Sequence, residues 1–322
     1  MLLRTVTIYR EYMPPLSMRV LNVLRCPECY DPLTFTAARV ACGNGHVYPV
    51  VNGAPVLIPY SKSVFDADAI AASTSATPTQ RRGFRRILPS LSWNRAAEPN
   101  FVRLRNKLLH SSDSPLVLNI GGGDGGVGYR SLTHPSLEML LTDVALGPGT
   151  QIAADAHCLP FEDQSFDGVV VQAVLEHVLD PWACVNEIFR VLRLGGYVYA
   201  ETPFMQQVHM GRYDFTRFTT LGHRRLFRRF EEVASGAAVG PGSALAWSLT
   251  YFVSSFARSP AWRRWLDAVG RLCFFGFRYF DRFLTGDSAM DAACGLYFLG
   301  RKVSETLSDR ELIAQYRGGM TL

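Results

Sequence analysis

An apolar run that ends directly in glycines constrains this chain more than any other feature. Residues Leu116–Ile120 lead into Asn119-Ile120-Gly121-Gly122-Gly123-Asp124-Gly125. Closely spaced glycines let the backbone pass under a ligand where a side chain would collide, so the pattern predicts a buried strand, a tight turn and the start of a helix. Further buried-strand runs lie at 137–142, ending at Asp143, at 167–172 and at 197–202. Between the last two, Val185, Ile188, Phe189 and Leu192 recur at helical spacing after the start signal Asp180-Pro181, with Gly195-Gly196 as the expected stop. Strand, helix and strand in close succession demand a right-handed crossover, and hence a parallel sheet covered by helices.

A glycine loop of this kind serves a dinucleotide as readily as other adenosine cofactors. Asp143 lies 22 residues after Gly121, at the end of the next strand, where a carboxylate accepts both ribose hydroxyls of either class. The series that follows is more selective: NIGGGDG, DAHCLPF, SFDGVVVQAVLEHV and EIFRVLRLGGYVY, in that order and spacing, cover Leu116 to about Thr202. It resembles the type 11 branch of the class I S-adenosylmethionine-dependent methyltransferases. The resemblance implies an α/β fold, a Rossmann-like sheet with helices on both faces, and S-adenosyl-L-methionine as cofactor. It also implies roles: Gly121 and Gly123 under the methionine part, Asp143 on the ribose, Asp155 with Ala156 at the adenine edge, and Gln172 facing the methionine tail. Asn119 stands where the family usually has Asp or Glu, so the methionyl ammonium meets a neutral partner there. Only seven residues separate Asp143 from Gln151, too few for the usual crossover helix.

Upstream, Cys26, Cys29, Cys42 and His46 form Cys-x2-Cys and Cys-x3-His pairs. Each short pair places two ligands on one tight turn, and two turns complete a tetrahedron, so the expected occupant is a structural zinc (Zn). Such a module, about 40 residues long, has little core of its own, and metal binding would supply much of its folding free energy. Cys158, Cys184, Cys273 and Cys294 are scattered and read as ordinary thiols. The stretch CPECYDPLTF…CGNGHVYPVVNGAPVLIP resembles the zinc-ribbon that precedes the catalytic domain in bacterial rRNA guanine methyltransferases, and its tail is similar to the small activator subunit of certain tRNA and protein methyltransferases.

A sulfonium methyl is already activated, so the protein's work is alignment and exclusion of water, with a base where the nucleophile is neutral. His177, His209 and Asp214 are the available groups; for His177 the expected role is capping the helix that follows. The segment PFMQQVHMGRYDFTRFT follows the strand at 197–202, at the carboxyl edge where α/β sheets place substrates. It resembles a segment of a bacterial type 11 subgroup, and His209 with Asp214 are the expected catalytic residues. Residues 244–284 are dense in aromatics, among them Trp247, Trp262, Trp265, Phe280 and Phe283, mixed with Arg258, Arg263, Arg264, Arg271, Arg278 and Arg282. Lid packing is the first expectation for such a stripe, ahead of a peripheral membrane contact or a dimer face.

These features divide the chain into a zinc-ribbon-like module at 19–60, a linker at 61–100 carrying Arg81, Arg82, Arg85 and Arg86, and a methyltransferase domain at 101–303 with its insert at 244–284. The acceptor expected is a small or lipid- or saccharide-linked metabolite. RNA is the alternative, favoured by the ribbon and the arginines, and Asn119 leaves a non-catalytic scaffold as a third reading. The net charge of +5 conceals a division: residues 113–201 hold 12 acidic and 3 basic residues, and the remainder 30 basic and 16 acidic. No run of 18 apolar residues occurs and the N-terminus lacks a signal-peptide core, so a cytoplasmic location is expected, with a peripheral position at a membrane as the alternative. Met13 and Met18 raise an upstream start-site artefact as a further reading of the first dozen residues.

Overall fold

A computed structural model describes residues 16–36, 39–72, 88–123, 125–147, 149–283 and 286–319. The four linker arginines at 81–86 and the first dozen residues lie outside the described part. In chain order the elements are α1 (Met18–Val23), β1 (Leu33–Phe35), β2 (Arg39–Cys42), β3 (Val47–Val51), β4 (Ala54–Leu57), α2 (Ala67–Ala72), α3 (Ala97–Ser111), β5 (Leu116–Ile120), β6 (Glu138–Asp143), β7 (Ile152–Ala154), β8 (Phe166–Gln172), α4 (Pro181–Val191), β9 (Leu192–Pro203), α5 (Thr220–Leu226), β10 (Phe230–Val239), α6 (Pro241–Ser254), α7 (Pro260–Phe274), β11 (Gly295–Lys302) and α8 (Asp309–Ala314). The strands form a single sheet in the order β1-β2-β3-β4-β7-β6-β5-β8-β9-β11-β10.

From β4 to β9 neighbouring strands run parallel, and β11 inserts antiparallel between β9 and β10. Strands buried on both faces read as continuous apolar runs, as β5 does, every residue of it buried. One face packs against Phe101, Leu104 and Leu108 of α3. The other packs against Val185, Ile188 and Val191 of α4, together with Leu226 and Phe227 at the end of α5. Helices therefore cover both faces of a Rossmann-like sheet. Asp180 caps α4, its carboxylate accepting from the amides of Trp182 and Ala183 at 3.0 Å, with Pro181 in the first turn.

The ribbon is part of this sheet. Its last strand, β4, pairs parallel with β7 through Val56 opposite Ala153 and Leu57 opposite Ala154. Cys26, Val40 and Tyr48 share one core with Leu159 and Phe161. The sheet thus runs without a break from the cysteine module into the methyltransferase half.

Two local expectations are corrected. Among the described residues the glycine loop opens no α-helix: a 3-10 turn, Tyr129–Ser131, lies between β5 and β6. Gly195-Gly196 does not stop a helix, because α4 ends at Val191 and the pair sits inside β9. There the register with β8 slips between Phe166 and Gly168, and Gly195 takes φ +81°. A left-handed residue in a strand is the mark of a bulge. As its length requires, the short connection from β6 to β7 has no helix among the described residues, and Gln151 closes it: its amide donates to the Leu141 carbonyl at 2.9 Å while its side-chain oxygen accepts from the Leu141 amide at 3.0 Å.

Candidate active site and metal centre

The carboxyl ends of β5, β6, β8 and β9 meet the glycine turn, and there the structure gathers most of the predicted residues. Gly121 takes φ +68°, and a Cβ on it would lie 2.3 Å from Cγ2 of Val174, so only glycine closes the turn. A Cβ on Gly123 would come within 3.3 Å of Oδ2 of Asp143, which places that carboxylate beside the loop. The glycine loop and the acid of the next strand therefore lie side by side at the carboxyl edge of the sheet. Asn119 is buried, its side chain tucked under Gly122, and so supports the turn from beneath.

Gln172, at the end of β8, donates to the Val127 carbonyl at 3.1 Å and to Glu201 at 3.0 Å. Glu201, buried near the end of β9, also accepts from Tyr199 and from Asn94. Burial pushes its carboxyl up, against the lowering effect of those three donors. Sequence reading missed Glu201; a lone acid near the carboxyl end of an apolar strand was the signal. Asp155 and the buried Ala156 follow β7, but the Asp155 carboxylate faces inward, accepting from Ser63 at 2.5 Å and from the ring and amide of His157 at 2.7 and 2.9 Å. Burial alone would raise its pKa, and these donors hold it low. Asp155 thus ties the segment after the ribbon to the sheet.

On the acceptor side the chain leaves β8 through Ala173, which takes φ +55° and donates to the Glu201 carbonyl. That turn carries Glu176 inward. His177 does not cap α4, a task Asp180 performs; its Nδ1 lies 2.6 Å from the Tyr213 carbonyl. The His209 ring stands across the His177 ring, centroids 4.8 Å apart. Asp214 accepts from the His209 amide at 2.9 Å and is gripped by both terminal nitrogens of Arg217. Although burial acts to raise the Asp214 carboxyl, the Arg217 guanidinium beside it brings it down to about 2. Its side chain is 1% exposed, with Oδ2 3.4 Å from Nδ1 of His209. Burial lowers both imidazoles, leaving them neutral at pH 7.

Helix α6 lies against this loop. Gln207 donates to Ser248 at 2.9 Å and Tyr251 to the Val208 carbonyl at 2.5 Å. Asp281 holds the start of α6, accepting from the amides of Gly242 and Ser243 and from the Ser243 hydroxyl. The expectation of buried aromatics holds poorly for α7, whose only buried residue is Gly270. Trp262 and Trp265 stack at 4.8 Å on its outer side, and Phe280 and Phe283 are exposed beyond it. Among the described residues no helix is long and apolar enough to cross a membrane.

In the ribbon, His46 Nδ1 lies 3.6, 3.6 and 3.3 Å from the sulfurs of Cys26, Cys29 and Cys42, and the Cys29 and Cys42 sulfurs are 3.7 Å apart. Tetrahedral zinc bonds of about 2.3 Å to sulfur and 2.0–2.1 Å to nitrogen require edges of roughly 3.8 Å and 3.6 Å. The donor set fits in chemistry and in size. The other four thiols lie elsewhere: Cys184 and Cys294 are buried, Cys158 half-buried and Cys273 exposed.

The type 11 family model, a methyltransferase domain, matches residues 132–200. A Mycobacterium sp. (strain JLS) protein described as an uncharacterized methyltransferase is 32% identical over 177 residues, covering 48% of this chain and 69% of its own length. A Mycobacterium marinum protein of the same description is 29% identical over 181 residues, 48% of this chain and 70% of that one. Among solved structures, a putative sarcosine dimethylglycine methyltransferase from Galdieria sulphuraria is 14% identical and covers 66% of this chain and 92% of its own, with a TM-score of 0.42. By its family-model match and its relatives, the chain belongs to the class I S-adenosylmethionine-dependent methyltransferases.

Proposed function

We propose that this methyltransferase modifies a small polar group carried on a lipid, with the helical insert resting on the lipid surface and the acceptor entering between α6 and the loop that bears His209. The observation that carries this reading is the placement of the insert. Its exposed Trp262, Trp265, Phe280 and Phe283 are interleaved with Arg258, Arg263 and Arg264, while α6 is hydrogen-bonded to the acceptor loop at Gln207 and Val208. Amphipathic helices with Trp and Phe on one side and Arg on the other settle in the headgroup region. A saccharide-linked or free metabolite would not need such a surface.

When bound, S-adenosylmethionine supplies a methyl group already activated by its sulfonium. Gly121 and Gly123 give its methionine part room, Asp143 takes the ribose hydroxyls, and Asp155 fixes the turn that presents Ala156 to the adenine. Gln172, held by Glu201, closes the methionine side, with Asn119 beneath. His209, oriented by Asp214, lines the acceptor position. Cys26, Cys29, Cys42 and His46 would hold the zinc that ties the ribbon together.

Purified enzyme is to be incubated with a cell extract and isotopically labelled S-adenosylmethionine, and the lipid, aqueous and RNA fractions analysed by mass spectrometry. Label in the lipid fraction, lost with Trp262→Ser/Trp265→Ser, is the expected result. Label in RNA, with binding that falls steeply as salt rises, would overturn the reading in favour of phosphate recognition.

A further inference from the structure

We propose that Glu176, His177 and His209 form a second metal site, for one divalent cation of the zinc class, with an open coordination position toward the methyl acceptor. Glu176 is wholly buried, and neither of its carboxylate oxygens has a hydrogen-bond partner. Leaving such a group unpaired in the interior is costly, so it marks a place where something charged belongs. Nε2 of His177 lies 3.6 Å and Nε2 of His209 3.9 Å from Oε1, and all three ligand atoms lie within 4.8 Å of one another.

The tautomers follow from the other ring nitrogens. His177 Nδ1 faces the Tyr213 carbonyl, which can only accept, so that nitrogen carries the proton. His209 Nδ1 lies 3.4 Å from both the Gln207 carbonyl and the Asp214 carboxylate, again acceptors only. Both Nε2 atoms therefore turn lone pairs toward the Glu176 carboxylate. With the carboxyl ionised, three electron-pair donors converge, at separations too long for an N–H···O bond.

A cation about 2.0–2.2 Å from each ligand brings the three atoms to roughly 3–3.5 Å apart, a contraction that small side-chain rotations supply. Two imidazoles and one carboxylate suit zinc, cobalt or manganese; magnesium and calcium prefer all-oxygen shells. Asp214, clamped by Arg217, stands behind His209 as the outer carboxylate that orients a ligating imidazole. Three protein ligands leave at least one position free, the arrangement of catalytic rather than structural zinc. His209 is on the solvent side of the cluster, so that position faces the acceptor. The role of the open position rests on the acceptor-side reading above; the existence of the site does not.

The test uses the full chain, stripped with chelator and reloaded with Zn2+ or Co2+. Wild-type protein is expected to hold one metal equivalent more than His209→Ala or Glu176→Gln, with affinity at the second site weakened at least 100-fold in either variant. Cobalt separates the two sites: the cysteine ribbon gives intense thiolate charge-transfer absorption, and the Glu/His site only weak visible bands. The expected outcome is loss of the weak bands with the thiolate bands unchanged, the latter also reporting that the variants are folded. Equal metal content and identical weak bands in wild type and both variants would refute the site. If the site binds metal but transfer to the identified acceptor ignores His209, the acceptor reading fails and the metal site stands.

Discussion

The two Cys/His/Glu clusters of this protein differ in almost every respect. In the ribbon, four candidate ligands lie within 21 residues of sequence, three of them sulfurs, gathered within 4.8 Å of one another and packed on the core through Cys26 and Tyr48. At the acceptor loop, Glu176 and His177 meet His209 from another segment, with nitrogen and oxygen donors and one side open. The first arrangement spends every donor on holding the fold. The second holds a buried acid unpaired, and that cost is sensible only at a working site.

Substitutions should separate the two clearly. Cys29→Ser removes a ligand from a module whose last strand is internal to the sheet, and unfolding by denaturant should show a loss of about 4 kcal/mol or more. A loss below 1 kcal/mol would mean the ribbon folds without metal. Asp143→Ala, between the clusters at the cofactor cradle, should weaken S-adenosylmethionine binding by about 2–3 kcal/mol, some 30- to 150-fold by calorimetry, with stability nearly unchanged. Unaltered affinity would remove Asp143 from the ribose.

A buried histidine outside both clusters gives the contrast a control. His223 packs among Phe227, Phe298 and Phe218, and burial, with Arg224 beside it, brings its imidazole down to about 3. The unfolded chain binds a proton near pH 6.5 that the folded one refuses, so stability is full above that pH and falls as pH drops toward 3. Between pH 7 and 5 the loss should be about 2 kcal/mol, absent in His223→Leu; a wild-type slope equal to that of the variant would contradict it. The smallest effect is expected at the acceptor cluster itself: Glu176→Gln and His209→Ala should change stability by about 1 kcal/mol or less, since the open site contributes little to the fold. A ribbon-sized loss there would make that cluster structural too.

What was legible in the sequence follows the same division. The ribbon ligands and the glycine loop are local patterns, and spacing alone exposes them. The strands β5, β6, β8 and β9 announced themselves because they are buried on both faces. By contrast, the pairing of Glu176 with His209 depends on where the chain goes after Ala173 and after β9, and a left-handed alanine leaves no sequence mark. The inward turn of Asp155 toward Ser63 was hidden for the same reason: a hydrogen bond across 92 positions has no periodicity. The outward face of α7 was misjudged because an aromatic stripe looks alike whether it meets a core or a surface.

The pairing of β4 with β7 has a consequence for assembly. An uncovered parallel strand of three residues, Ile152–Ala154, would leave a line of unpaired amides and carbonyls along the flank of the catalytic half, a template for any passing strand. Its neighbour on that side comes from about a hundred residues earlier in the chain. With β4 in place that template is covered, so protein deprived of the cysteine module should fail first by sticking to itself rather than by losing chemistry.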